Sequence, residues 1–169
     1  MNKPVSSFDE LFEFNKITLA LKKVIERNSW DQEAIMPTGA LEDRAEEQAS
    51  LMIIAHKRQT SGEFSDLVDS IEPEKLSKIE LRQFKLMKKD LTRALKVPTD
   101  LVGALAKETT LAHSVWVNAR KNNNFQQFLP HFSKVLELRK EEADAIRQGS
   151  SLSRYDALLQ DYEPDIKSD

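Results

Sequence analysis

Between its prolines this chain offers almost nothing that would stop a helix. Six prolines and four glycines are spread over 169 residues. Pro37, Pro73, Pro98, Pro130 and Pro164 separate stretches rich in Leu, Ala, Glu and Lys, residues that cost little in a helix. Proline fixes φ and removes a backbone donor, so each marks a helix boundary, a first turn or a kink. No strand-like alternation, internal repeat or low-complexity run lies between them. The pattern predicts an all-α fold, an antiparallel multi-helix bundle with short loops, forming a single helical domain over residues 1–169.

Ser7 and Glu10 have the spacing of a capping box. They open a first helix through Leu11, Phe14, Leu21 and Ile25 that is expected to end near Asn28 or Ser29. Thr38 is the expected cap of a second helix reaching Thr60, and an amphipathic piece over 63–71 follows. Pro73 suits the first turn of a third long helix to Lys96, with Leu76, Ile79, Phe84, Met87, Leu91 and Leu95 as its apolar stripe. Thr99 is the expected cap of a fourth helix to Lys121, and Asn122 to Asn124 make a turn. A fifth helix runs from Phe125 to Gln148, with Pro130 in its first turns or at a kink and Gly149 as its C-terminal stop. A last short helix over 153–161 ends before Pro164, and "YEPDIKSD" reads as a linker.

Charge is unevenly distributed. Asp31 to Ser50 holds six acids and one base, whereas Glu74 to Lys96 holds eight bases and three acids. The basic helix is expected to be solvated or paired with the acidic helix over 38–60 rather than bound to RNA. A net charge of −3 implies no general affinity for nucleic acid. The absence of cysteine excludes disulfides and thiolate metal sites. The opening residues have no apolar core of signal-peptide length, and no run approaches the roughly 18 apolar residues of a membrane helix. A cytoplasmic protein without membrane partners is the expectation.

The residues alone assemble no active site. His56, His113 and His131 do not form H-E-x-x-H, in which two imidazoles one helical turn apart reach one zinc. His113 and His131 could meet across two helices, but all three read as ordinary, partly exposed histidines. The acid pairs Glu42/Glu46, Glu46/Glu47 and Glu141/Glu142 read as solvated helix faces. No glycine-rich phosphate loop and no G-x-S-x-G context occurs. Trp30 and Trp116 read as core anchors.

Three ordered segments carry more information. "WDQEAIMPTGALEDRAEEQASL" begins at Trp30 and contains Asp31, Gln32, Glu33 and Pro37. Residues 97–146, "VPTDLVGALAKETTLAHSVWVNARKNNNFQQFLPHFSKVLELRKEEADAI", contain Trp116, Arg120, Phe125, Phe128 and Pro130. "YDALLQDYEPDI" contains Tyr155, Asp156, Tyr162, Glu163 and Pro164. In this order they resemble the W-D-Q-E-T-x-M-P-x-G-A, P-x-x-L-V…W-x-x-A-R-x-x-x-D-F-x-x-F-x-P-x-L and Y-D-x-L-L-D-x-Y-E-P-G segments of the carboxypeptidase Taq family of zinc metallocarboxypeptidases. Ala34, Asn118, Asn124 and Asp165 depart from that pattern, which touches local contacts rather than the fold.

The resemblance implies a mostly helical protein with a deep central groove, whose N-terminal helices form a wall or lid. It also implies zinc, or another divalent metal, in the full-length family, held by an H-E-x-x-H helix and a downstream glutamate. Those lie past the position matching Asp169, so this chain is expected to be an N-terminal fragment with no catalytic or metal residues of its own and no cofactor. The motif residues above are expected to be structural, Trp30 to Glu33 forming a corner between the first and second helices, where Asp31 or Gln32 bonds backbone groups. Expected partners are the missing C-terminal catalytic part or a second copy bound through exposed apolar surface, with peptide substrate bound only by the full-length protein. The rival readings are a standalone helical interaction module and a regulatory or split subunit that completes an enzyme in trans.

Overall fold

The computed structural model describes residues 6–168. They form seven α-helices: α1 Ser7–Ala34, α2 Leu41–Gln59, α3 Gly62–Asp69, α4 Lys78–Ala94, α5 Thr99–Lys121, α6 Phe125–Arg147 and α7 Arg154–Leu159. Single 3-10 turns at Thr38–Ala40 and Pro73–Lys75 precede α2 and α4. No strand occurs among the described residues, so the all-α class holds.

Pairwise contacts fix an antiparallel register. His56, Ile53 and Glu46, read backwards along α2, meet Thr99, Gly103 and Lys107, read forwards along α5. Arg44, Gln48 and Arg58 of α2 likewise meet Asp31, Ile25 and Phe14 of α1. Where α2 and α5 meet, the buried Gly103 of α5 faces Ile53 of α2. A β-carbon added at Gly103 would lie 2.7 Å from Ile53 Cδ1, so a larger residue there would require Ile53 or the helices to shift. His56 pins this seam at one end, Nδ1 3.1 Å from Thr99 Oγ1 and Nε2 3.1 Å from the Ala94 carbonyl. The carbonyl can only accept, so Nε2 carries the proton.

Two apolar clusters flank the seam. Phe8, Leu11 and Phe14 of α1 join Phe64 and Val68 of α3 and Phe84, Met87 and Leu91 of α4. Val97, Ile146 and Ala157 form the second, which seats α7 against α6. Burial of a Phe or Leu side chain is worth roughly 1.5–3 kcal/mol, so the first cluster holds α3 and α4 to the start of α1.

Several boundaries differ from expectation. The N-terminal capping box is Ser6 with Asp9, not Ser7 with Glu10. Helix α1 continues through Ala34 rather than stopping near Asn28. Pro73 sits in a separate 3-10 turn, and α4 starts later because Ser77 and Glu80 form their own capping box. Ile79 and Leu95 leave the expected stripe and are exposed. Thr38 lies in a 3-10 turn, with no side-chain cap on α2. Thr99 is the first residue of α5 rather than its cap, its hydroxyl being used by His56.

Two stops follow the sequence. At Asn123, φ is +50, the Asn124 amide donates to the Ala119 carbonyl at 2.8 Å, and the Asn123 amide donates to that of Arg120 at 3.2 Å. This is a Schellman closure. The Asn124 side chain then caps α6 through the Gln127 amide. Gly149, φ +77, is the third residue of a turn closed by the Ser150 amide on the Arg147 carbonyl at 2.8 Å.

Candidate functional site

Trp30 to Glu33 occupy the last turns of α1, not a corner beyond it. In helical geometry these four residues point to different neighbours. Asp31 Oδ2 accepts from Arg44 Nη2 at 2.6 Å, and Arg44 Nη1 donates to the Asn28 carbonyl at 2.6 Å. The hydrogen bond to Asp31 holds the Arg44 guanidinium above its ordinary pKa, with Glu47 adding to it. Gln32 Nε2 donates to the Thr110 carbonyl of α5 at 3.0 Å, so the expected backbone bond exists but crosses to another helix. Glu33 lies 3.7 Å from His113 Nε2. Trp30 is not core: it is 64% exposed.

One turn beyond His113, Trp116 stands with its ring centroid 5.8 Å from the imidazole. It too is exposed, at 46%, against the core reading. With Ala119, Arg120, Asn123, Asn124, Phe125 and Phe128 it lines a cleft of about 170 Å³ at the α5–α6 turn. Pro130 lies inside α6, and the next residue, His131, places Nδ1 2.7 Å from Glu108 Oε1 of α5. A second cleft, about 250 Å³, opens between α1, α2, α5 and α6, lined by Ile25, Met52, Val102 and Leu105 with Ser29 and Gln48. Gln48 Nε2 donates to Ser29 Oγ at 2.9 Å, which closes its polar end.

At the other end, Asp156 is buried at the start of α7. Its Oδ2 accepts from Ser153 Oγ at 2.6 Å and its Oδ1 from the Ser168 amide at 2.8 Å, bonds that lower its pKa, the Ser153 one most. Gln160 Nε2 donates to the Ile166 carbonyl at 2.9 Å, and its Oε1 accepts from the Asp165 amide at 2.8 Å. The segment read as a linker is therefore folded back on α7. Tyr155, Tyr162, Glu163 and Pro164 are exposed on its outside.

The remaining charges make structural links. Arg93 of α4 bridges Glu142 of α6 and Asp161, beyond α7. Burial pushes the Asp161 carboxyl above its ordinary pKa, against the pull of Arg93, with the Glu142 charge acting in the same direction as burial. Glu142, expected on a solvated face, has a side chain only 13% exposed. The acidic helix α2 finds its cation on α5, where Lys107 pairs with Glu46, rather than on the basic α4.

Arg44 and Gln48 are the residues that sequence reasoning passed over. Arg44 is the single base in the acidic run from Asp31 to Ser50; an isolated cation among acids was the available signal.

The three motif segments thus lie at the α1–α2–α5 junction, the α5–α6 turn and the α7 clamp, and a family profile spans all of them. The profile of the carboxypeptidase Taq (M32) metallopeptidases matches residues 10–169. The chain belongs to this family. Thermostable carboxypeptidase 1 of Thermus thermophilus is 28% identical over 179 residues, a match covering 98% of this chain and 34% of that protein. Thermostable carboxypeptidase 1 of Pyrococcus furiosus is 27% identical over 82% of this chain and 28% of its own length. The crystal structure of BsuCP superposes with a TM-score of 0.89 at 24% identity, over 96% of this chain and 33% of that one, which shows a shared helical fold. The chain spans about a third of the length of these curated relatives and of BsuCP.

Proposed function

We propose that residues 1–169 form one helical unit, the N-terminal wall of the groove of a zinc metallocarboxypeptidase. Removal of C-terminal amino acids from peptides is then a property of the whole family protein and not of this stretch alone. The carrying observation is the asymmetry of the match: the family covers residues 10–169 here, while the Thermus relative extends through a further two-thirds of its length.

The donor chemistry supports this reading. Among the described residues no three His, Cys, Asp or Glu side chains gather as a group able to hold a metal ion. The pairs His131–Glu108 and His113–Glu33 each offer two donors, and a catalytic zinc takes three protein ligands plus water. A family metal therefore does not fit these residues, and no step of hydrolysis is assigned to them. The Trp30–Glu33 segment instead holds α1 against α2 and α5 through Asp31 and Gln32, which keeps the wall rigid.

Among the described residues no helix is long and apolar enough to cross a membrane; a cytoplasmic location belongs to this proposal. The test is zinc titration by calorimetry alongside a C-terminal release assay on a blocked dipeptide. The isolated chain is expected to show neither stoichiometric zinc binding nor release. Tight one-to-one zinc binding with amino-acid release would overturn the reading.

A further inference from the structure

The chain exposes 11519 Å². A compact monomer of 19.4 kDa exposes about 8,500 Å². Even an allowance of about 1,000 Å² for the six terminal residues outside the described range leaves an excess of about 2,000 Å². That is the size of one partner's share of a large permanent interface.

The most coherent part of this surface lies on the first half of α6. Phe125, Phe128, Leu129, Phe132 and Leu136 recur at helical spacing and form one stripe. Phe125, Leu129, Phe132 and Leu136 are each more than a third exposed. The rings touch one another, with centroids 6.2 Å apart for Phe125–Phe128 and 5.9 Å for Phe128–Phe132; Phe128 is half-buried while Phe125 and Phe132 stand exposed. Trp116 extends the patch across the adjoining cleft. The fully buried residues of α6 are Leu138, Ala143 and Ile146, all in its second half, whereas the first half meets α5 through His131 and leaves its aromatic stripe largely outside. Between 125 and 136 there is no acid and one lysine, Lys134. By contrast, the exposed Ile79 and Leu86 of α4 are scattered among its six bases.

We propose that this stripe with Trp116 is the seat of the polypeptide making up the remaining two-thirds of the relatives' length, received through an apolar, uncharged counter-face. The inference rests on the wall reading above. Both the uncovered area and the missing share of the family's length call for a large partner, and the lack of charge calls for an apolar one.

The test joins this chain to the Thermus relative in place of the third that it matches. Leu129→Asp and Phe132→Asp are compared with Ile79→Asp, each in the joined protein and in the isolated chain. In the isolated chain all three should shift Tm by less than about 2 °C, since the sites are exposed. In the joined protein the two stripe variants should lower Tm by at least about 5 °C and Ile79→Asp should not. Equal tolerance of all three in the joined protein overturns the proposal. So does a homodimer of the isolated chain, seen by sedimentation, that Phe132→Asp abolishes while the joined protein is indifferent. Should the joined protein not fold, the matching positions of the intact Thermus relative carry the same comparison, with the same two outcomes. Stoichiometric zinc with peptide cleavage by the isolated chain would instead sink the wall reading, whatever the stripe variants do.

Discussion

Arg44 and Asp31 stand thirteen residues apart in sequence and 2.6 Å apart in space, and their contact closes the α1–α2 hairpin. The same guanidinium donates to the Asn28 carbonyl and to Glu47. Its side chain is mostly buried while that of Asp31 is a third exposed, so the pair gains more than a surface ion pair without the full cost of burial. Arg44→Ala should cost about 2 kcal/mol, and Asp31→Asn about half as much. Arg44→Lys should recover only part, because a point charge cannot reach the carboxylate and the Asn28 carbonyl together. Urea midpoints at unchanged m-value check this; an Arg44→Ala variant within 0.5 kcal/mol of the parent, roughly the scatter of an ordinary surface change, would contradict it.

Asp165 adopts φ +69, where the family pattern has glycine. Aspartate tolerates the left-handed region better than most residues but still gives up energy there. Asp165→Gly should relieve this by about 0.5–1 kcal/mol, whereas Asp165→Val should loosen the clamp. The readout is exchange of the Ser168 amide, which donates to Asp156 across this loop. Its protection should rise in the glycine variant and fall in the valine variant.

Asp144 is flanked by two arginines. The Arg154 guanidinium, and after it Arg147, hold its carboxyl down to about 2. The folded value lies below that of the unfolded chain, near 4. The contribution is therefore complete above about pH 4 and is lost as pH falls through about 2. Carboxyl carbon NMR should place the Asp144 midpoint near 2, and Arg154→Ala should move it up part of the way, Arg147 remaining. The group is exposed, so added salt should also raise the midpoint.

The legible parts of this fold are those decided locally. Pro37 and Pro98 lie where α1 and α2 separate and where α5 begins, and the Asn122–Asn124 turn and the Gly149 stop depend on residues within a turn of each other. What escaped reading is decided at a distance. Helix α1 runs on to Ala34 because Asp31 and Gln32 find Arg44 and Thr110 only as helical residues, partners 13 and 78 positions away. Trp30, Trp116 and the Phe125–Phe132 stripe had the composition of a core, and a single sequence cannot tell a covered face from an uncovered one. The tail after α7 looked like a linker because its bonds to Asp156 and Gln160 follow no local spacing rule.

The α2–α5 seam offers the sharpest test of packing. Gly103 sits inside α5, where glycine costs about 1 kcal/mol relative to alanine. Alanine there would gain that amount but place its methyl 2.7 Å from Ile53 Cδ1 and 3.0 Å from Cγ1. Overpacking of this kind costs about 1–3 kcal/mol unless the neighbour can turn aside. Ile53 is packed between the two helices, and its β-branched χ1 resists rotation in α2. Gly103→Ala alone should therefore be neutral or destabilising by up to about 2 kcal/mol. Ile53→Val removes Cδ1 and should cost about 1 kcal/mol by itself. In that background Gly103→Ala should turn stabilising, with a coupling of about 1 kcal/mol between the two positions. Additive effects in the double-mutant cycle, measured by urea unfolding, would mean that the helix spacing is set elsewhere and that Gly103 is not what lets α2 and α5 approach.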